Sequence, residues 1–321
     1  MTKPYVFITR KLPDEVVEPL STLAHIEMWP SEDEVVPRDL LLEQAAQANG
    51  LLTMLSDQID EELFEKAPKL QVVANLAVGY DNIDVIAARK RGIIVCNTPD
   101  VLTETTADLT FALLMTTARR IVEADRYVRE GHWKSWSPLL LAGTDIHHKT
   151  IGIFGMGKIG EAVAHRAKGF HMNILYHNRK RNEQAEQQLG AIYCSFEELL
   201  SESDFVVCLA PLTEQTKGMF NYDAFRRMKR SAIFINAGRG PIVVEQDLIR
   251  ALEEKEIRGA GLDVFEKEPI DEHHPLLSFP TVVALPHIGS ATEETRYGMM
   301  QLAVENIMAV LSGKSPKTPV K

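Results

Sequence analysis

The segment TIGIFGMGKIGEAVAHRAKGF, residues 150–170, constrains this chain more than any other stretch. A short apolar run enters Gly155, Gly157 and Gly160, and a helical stretch follows. The G-x-G-x-x-G spacing is weak evidence alone and good evidence in a strand–turn–helix setting. The first glycine makes the turn, the second lets backbone approach a pyrophosphate, and the third lets helix and strand pack closely. The helix N-terminus then presents free N–H groups and a positive partial charge to phosphate oxygens. The competing reading is a tight strand-to-helix turn that holds no ligand.

Around this motif the chain alternates short apolar strands with helices. Before it, strands are expected at 5–9, 25–29, 51–55, 70–76 and 93–97, with helices such as 60–67 and 83–92 between them. From the motif onward, strands are expected at 150–155, 173–177, 191–194, 205–210, 232–237, 259–264 and 281–285, with helices at 160–170 and 245–256. Such runs imply parallel sheets covered on both faces. With 321 residues, and roughly 150 residues per domain, two domains fit. The expected class is α/β, with two doubly wound parallel-sheet domains and a cleft between them. Long apolar helices at 102–119 and 292–311 read as crossings between domains, so the first domain is expected to be discontinuous. Its segments are 1–101 and 288–321, a substrate-binding domain, and 102–287 forms the NAD(P)-binding Rossmann domain.

The net charge of −10 argues against a nucleic-acid partner, because phosphate binding on that scale needs a basic surface. The N-terminal MTKPYVFITRKLPDE lacks a signal-peptide core, and the apolar runs are strand-sized, so no membrane contact is expected. Cys96, Cys194 and Cys208 are odd in number, far apart and in apolar segments. They read as buried free thiols in a reducing, cytoplasmic setting. His147, His148, His273 and His274 occur as loop pairs without a supporting cluster, so they read as surface residues and no metal site is expected.

The strand after the glycine loop ends in ILYHNRKR, 174–181. An acid at that strand end accepts hydrogen bonds from the ribose hydroxyls of NAD. Here the residue is Asn178, followed by Arg179, Lys180 and Arg181. An acid repels a 2′-phosphate and an amide does not, while Arg179 and Lys180 can pair with it. The pattern points to NADP(H), with NAD(H) kept as the alternative; a solvated basic turn is the bland reading.

Three later strand ends carry ionisable residues: NAGRGPIV (236–243) with Arg239, LDVFEKEP (262–269) with Asp263, Glu266 and Glu268, and LPHIGSAT (285–292) with His287. Ligands sit at that edge of an open α/β sheet. The set suits reduction of a 2-keto acid. Arg239 can hold the carboxylate or keto oxygen, His287 can deliver a proton, and Glu268 is the choice for an acid that favours the imidazolium. The bland readings are a satisfied surface histidine and solvated glutamates.

On these residues the sequence resembles the D-isomer-specific 2-hydroxyacid dehydrogenases nearly end to end. The marks are NLAVGYDNID (75–84), GIFGMGKIG (152–160), CLAPLTEQTKGMFN (208–221), INAGRGPIV (235–243), GLDVFEKEP (261–269) and PHIGSAT (286–292). YHNRK and HWKSWSP (132–138) are most similar to the glyoxylate/hydroxypyruvate reductases. The resemblance implies a catalytic set of Arg239, Glu268 and His287. Val78 and Gly79 would offer backbone N–H groups to the substrate, which Arg239 and His287 also contact. Thr106 would lie beside the nicotinamide. Met156, Lys158, Ile159, Pro211, Thr216 and Ala237 would join the cofactor contacts, with Asp263 as support and not as proton donor. Family members are homodimers joined through their cofactor domains, and Trp136 fits the place of a partner tryptophan that approaches the substrate; plain interface packing is the alternative. Phosphoglycerate dehydrogenases and 2-ketogluconate reductases share the catalytic motifs, and so can an NAD(P)-sensing corepressor on the same scaffold.

Overall fold

The computed structural model describes residues 3–320, which fall into two compact units. One holds the described residues up to Leu102 together with those from Ala291 onward, and the other spans Thr103–Ser290.

The first unit carries five parallel strands: β1 Tyr5–Ile8, β2 His25–Met28, β3 Gly50–Thr53, β4 Val72–Asn75 and β5 Ile94–Cys96. Their order is β2-β1-β3-β4-β5, the flavodoxin-like winding. Alternate residues face opposite layers. Phe7, Leu51, Val73 and Val95 pack with Leu41, Leu63 and Ala87 in one buried cluster. The opposite face meets the helix Glu293–Leu311, whose Ile307 lies against Gly50. This helix also organises the chain's end. The fully buried Asn306 accepts from the backbone N–H of Lys317 and Thr318, at 2.8 and 3.1 Å, and donates to the Thr318 hydroxyl at 2.7 Å. Pro319 then pairs antiparallel with Cys96, and Val320 N–H donates to the Val95 carbonyl at 2.8 Å. The polar composition of this tail gave no hint that its backbone would extend the sheet edge.

The second unit has seven parallel strands: β6 Thr150–Phe154, β7 Asn173–His177, β8 Ile192–Tyr193, β9 Phe205–Cys208, β10 Ile233–Asn236, β11 Gly259–Leu262 and β12 Val282–Ala284. The order β12-β11-β10-β9-β6-β7-β8 reverses between β6 and β9, the switch point where doubly wound sheets bind ligands. Both faces are buried, which explains the unbroken apolar runs. Ile151, Ile153, Phe205, Val207, Ile233 and Ile235 share one core with Phe111, Leu114 and Val163 from the helices Thr103–Ala118 and Lys158–Gly169. Phe154, Val206, Cys208, Phe234 and Leu262 share the other core with Phe220, Phe225, Leu248 and Leu252. The rings of Phe220 and Phe234 lie 4.7 Å apart and those of Phe154 and Phe220 5.5 Å apart. Burying each such side chain contributes about 1.5–3 kcal/mol, so the strands that end at the switch point rest on a stiff floor.

The helix Thr103–Ala118 is buried on most sides, which is why it reads as apolar without a clear stripe. Its Thr110 and Thr117 hydroxyls donate back to the carbonyls of Thr106 and Leu113, at 2.7 and 2.8 Å, and so are themselves satisfied in that core. Among the described residues, no helix is long and apolar enough to cross a membrane. The three cysteines are free, and Cys194 is only half-buried. Burial pushes the thiols of Cys96 and Cys208 up to about 12 and that of Cys194 up to about 11.

Candidate active site

The glycine loop joins β6 to the helix Lys158–Gly169. Gly155 adopts φ +106°, and a Cβ there would lie 2.5 Å from the Ala210 nitrogen. A Cβ at Gly160 would lie 2.4 Å from the Gly155 carbonyl oxygen. Loop, helix and β9 are therefore as close as backbone permits. Gly157 behaves differently: a Cβ there would meet no protein atom within 4 Å. It is also the helix N-cap, and its position supplies no side-chain cap. Elsewhere Asp60, Asp84, Asn182, Ser195, Asn221 and Thr292 cap their helices with side chains. The first turn here is left with backbone donors beside an open surface, which fits the pyrophosphate of a dinucleotide. Met156 points its side chain into the core, Lys158 opens the helix, and Ile159 packs against the same core.

The basic turn after β7 is not uniform. Arg181 donates to Glu186 at 3.0 and 2.6 Å and lies over the Tyr193 ring. Arg179 and Lys180 are exposed. Asn178 Oδ1 accepts from Met156 N–H at 2.7 Å, and its Nδ2 donates to the Met156 carbonyl at 3.1 Å.

At the ends of β10, β11 and β12, three loops converge. His287 Nδ1 lies 2.7 Å from Glu268 Oε2, while Glu268 Oε1 accepts from Phe265 N–H at 3.0 Å. Burial works against the Glu268 charge. The hydrogen bond and charge of His287, the Phe265 amide and the charge of Arg239 outweigh it and hold the carboxyl below the usual carboxylate range. His287 sits at φ +53°, a left-handed conformation costly for a residue with a Cβ. Asp263 holds it there. Its buried carboxylate accepts from Ile288 N–H at 2.8 Å and Gly289 N–H at 2.9 Å, the two amides that follow His287. Burial pushes the Asp263 carboxyl up, against those two bonds and the His287 charge. Thr106 is buried beside this turn, 3.3 Å from where a Gly289 Cβ would be.

Arg239 is half-buried in extended backbone and donates to the Gly238 carbonyl at 2.9 Å. A Cβ on the next residue, Gly240, would fall 1.8 Å from the Phe265 carbonyl oxygen, so the Arg239 and Glu268 loops touch backbone to backbone. The Thr216 hydroxyl donates to the Pro211 carbonyl at 2.7 Å, in the loop after β9, and Ala237 N–H donates to the Cys208 carbonyl at 3.2 Å. Trp136 lies in a segment without helix or strand and is 78% exposed. Val78 and Gly79 belong to the first unit. There Asn97 donates to the Val78 carbonyl at 2.8 Å and Asn75 to the Gly79 carbonyl at 3.0 Å.

Several supporting residues escaped the sequence reading. Asn236 ends β10 and braces the arginine loop, donating to the Arg239 carbonyl and accepting from Gly238 N–H, both at 3.1 Å. Glu245 opens the helix Glu245–Glu253 and accepts from Glu266 N–H at 2.6 Å. Its other oxygen lies 3.3 Å from His274, which is therefore half-buried and paired, not a surface histidine. Nothing local marks these residues, because their partners lie on other loops. No group of three or more potential metal ligands occurs among the described residues.

The family model described as D-isomer specific 2-hydroxyacid dehydrogenase, NAD binding domain, matches residues 111–289. A glyoxylate reductase of Thermococcus kodakarensis is 50% identical over 322 residues, covering 99% of this chain and 96% of that protein. One from Korarchaeum cryptofilum is 51% identical over 316 residues, covering 98% and 95%. Among solved structures, an NADPH-dependent glyoxylate/hydroxypyruvate reductase of Sinorhizobium meliloti, in complex with NADP and malonate, superposes with a TM-score of 0.86. It is 34% identical, with 99% of this chain and 97% of that chain covered.

Proposed function

The chain belongs to the D-isomer specific 2-hydroxyacid dehydrogenases, and from that premise we propose that it reduces glyoxylate and hydroxypyruvate to their 2-hydroxy acids, with NADP(H) preferred. It is an NAD(P)-dependent dehydrogenase. The observation that carries the reaction is the His287–Glu268 pair at 2.7 Å, with Arg239 near enough to act on the Glu268 charge, on the same sheet edge as the glycine loop.

Glycine loop, helix N-terminus and Thr106 would hold the dinucleotide, with Pro211, Thr216 and Ala237 on the strand ends beside it. Reduced nicotinamide supplies the hydride that the keto carbon receives. Arg239 would orient the substrate by its carboxylate or keto oxygen, through a planar fork of N–H donors. His287 delivers the proton. Its Nδ1–H stays on Glu268, so Nε2 is the nitrogen left to give a proton to the keto oxygen. Hydride on carbon and proton on oxygen make the 2-hydroxy acid, and the imidazole is left neutral with Nδ1–H still bound to Glu268. Asp263 keeps the ring in place and does not exchange the proton, since both its oxygens are taken by backbone N–H groups. Val78 and Gly79, their carbonyls tied back, would offer their N–H groups to the substrate carboxylate.

We read the unit up to Leu102 with the residues from Ala291 as the substrate domain, and Thr103–Ser290 as the cofactor domain. Ile121, Val122, Val128, Trp133, Trp136 and Leu139 leave apolar surface on the second unit, which a second copy of the chain would cover. Trp136 would then reach toward the partner's substrate. The deciding experiment assays the purified chain on glyoxylate, hydroxypyruvate and 2-ketogluconate, with NADPH and NADH at equal concentrations. Fastest turnover of the two small acids with NADPH supports the proposal. Faster 2-ketogluconate reduction overturns the substrate, and faster turnover with NADH overturns the cofactor preference.

A further inference from the structure

We infer that Asn178 is a positioning residue for the phosphate loop: with Asn182 it clamps the Met156 backbone and sets the glycine turn before a dinucleotide binds. The strand-end position invites a different role, reading the ribose. The hydrogen bonds show a role inside the protein. A carboxamide offers an acceptor oxygen with two lone pairs and a nitrogen with two donors, and one of each on Asn178 is turned onto Met156, the residue between Gly155 and Gly157. The orientation has no alternative. Flipping the amide would set its NH2 against the Met156 N–H and its oxygen against the Met156 carbonyl.

A second residue completes the clamp. Asn182 Nδ2 also donates to the Met156 carbonyl, at 3.2 Å, so both lone pairs of that oxygen are used. The same Nδ2 lies 2.5 Å from Glu161 Oε1, in the first turn of the helix Lys158–Gly169. Asn182 Oδ1 caps the helix Glu183–Leu189 through Ala185 N–H at 3.1 Å, and Asn182 N–H donates to the Tyr176 hydroxyl at 2.7 Å. The loop, the basic turn and two helices therefore meet at the backbone of one residue, Met156, whose side chain is buried.

This geometry changes what an acid at position 178 would do. Asp keeps an oxygen for the Met156 N–H but turns its other oxygen onto the Met156 carbonyl, where Nδ2 now donates at 3.1 Å. Two acceptors face each other, so the carboxylate must turn away or the loop must shift, and either way the clamp on Met156 is lost. The pyrophosphate is common to NADH and NADPH, so both suffer alike. Choice at the ribose 2′ position then falls to Arg179 and Lys180, the exposed cations of the turn.

The test measures NADH and NADPH binding to the wild-type chain and to Asn178→Asp by nicotinamide fluorescence. Losing one donor and leaving one acceptor facing another predicts that both dissociation constants rise by about tenfold, with their ratio nearly constant. Tighter NADH with weaker NADPH would make Asn178 a ribose reader and overturn the inference; so would no change in either. Amide exchange on the wild-type chain without cofactor tests the clamp even where the variant fails to fold. Slow exchange at Met156 N–H supports it, and exchange as fast as in an open loop overturns it. If the wild type binds neither cofactor, the dinucleotide reading fails, and exchange at Met156 still decides whether the clamp exists.

Discussion

Glu268→Gln tests the heart of the proposed chemistry with little change in shape. The carboxylate now serves two donors, His287 Nδ1–H through Oε2 and Phe265 N–H through Oε1. A carboxamide has one oxygen and cannot serve both. If that oxygen stays on Phe265, the NH2 faces Nδ1, which must then be an unprotonated acceptor, and the imidazolium is disfavoured. Losing a hydrogen bond to a charged group costs about 1.5–3 kcal/mol. With 36% of the Glu268 side chain and 27% of His287 in water, the lower end applies. At 1.36 kcal/mol per factor of ten, that is about tenfold. Keto-acid reduction needs the proton that His287 gives up, so turnover of glyoxylate in the variant should drop about tenfold. The Glu268 carboxyl is held below the usual range, so the wild-type pair persists through the ordinary carboxylate range and is lost only as pH falls through the lowered value. The assay is kcat/KM for glyoxylate across pH in both proteins. A variant as active as the wild type at neutral pH would refute the coupling of Glu268 to the proton donor.

His287→Asn should lower turnover by about 10²–10⁴ and leave cofactor binding intact. Asn tolerates the left-handed backbone at this position, so near-normal turnover would reassign the proton donor and could not be blamed on the turn. Arg239→Lys keeps the charge and loses the planar fork; steady-state kinetics should show a higher KM for glyoxylate and lower kcat, and an unchanged KM would remove Arg239 from substrate binding. Replacing Arg179 and Lys180 together by Ala should raise the KM for NADPH about tenfold to a hundredfold and spare NADH, by the loss of charge-assisted phosphate contacts. An equal effect on both cofactors would count against a 2′-phosphate contact. Gly240→Ala should lower the thermal midpoint and activity together, because its Cβ would fall 1.8 Å from the Phe265 carbonyl oxygen and separate the two loops. A normal melting curve would refute that packing argument.

The sequence by itself determined the architecture. Apolar runs of strand length, each followed by a helix, bury both faces of a parallel sheet, and the glycine spacing marks where one sheet opens for a phosphate. It also contained the ionisable residues at three strand ends, because side chains there need no distant partner to be noticed. What only the tertiary structure decided is which of them meet. Glu266 and Glu268 are alike in composition and two positions apart, yet only Glu268 carries its carboxylate to His287, since the loop is held by Phe265, Gly240 and Glu245. Asp263 looks like one more acid in the row until its two oxygens are found on the Ile288 and Gly289 amides, fixing a left-handed histidine that no local pattern foretells. His274 passed for a surface residue because Glu245, its partner, lies 29 positions earlier on a helix end. In the basic run 179–181 three like charges are indistinguishable on paper, and the fold separates them by giving Arg181 to Glu186. Hydrophobic periodicity is local and survives in a linear text. Hydrogen-bond pairing across loops is set by where the strands end in space, and that is known only once the sheets are assembled.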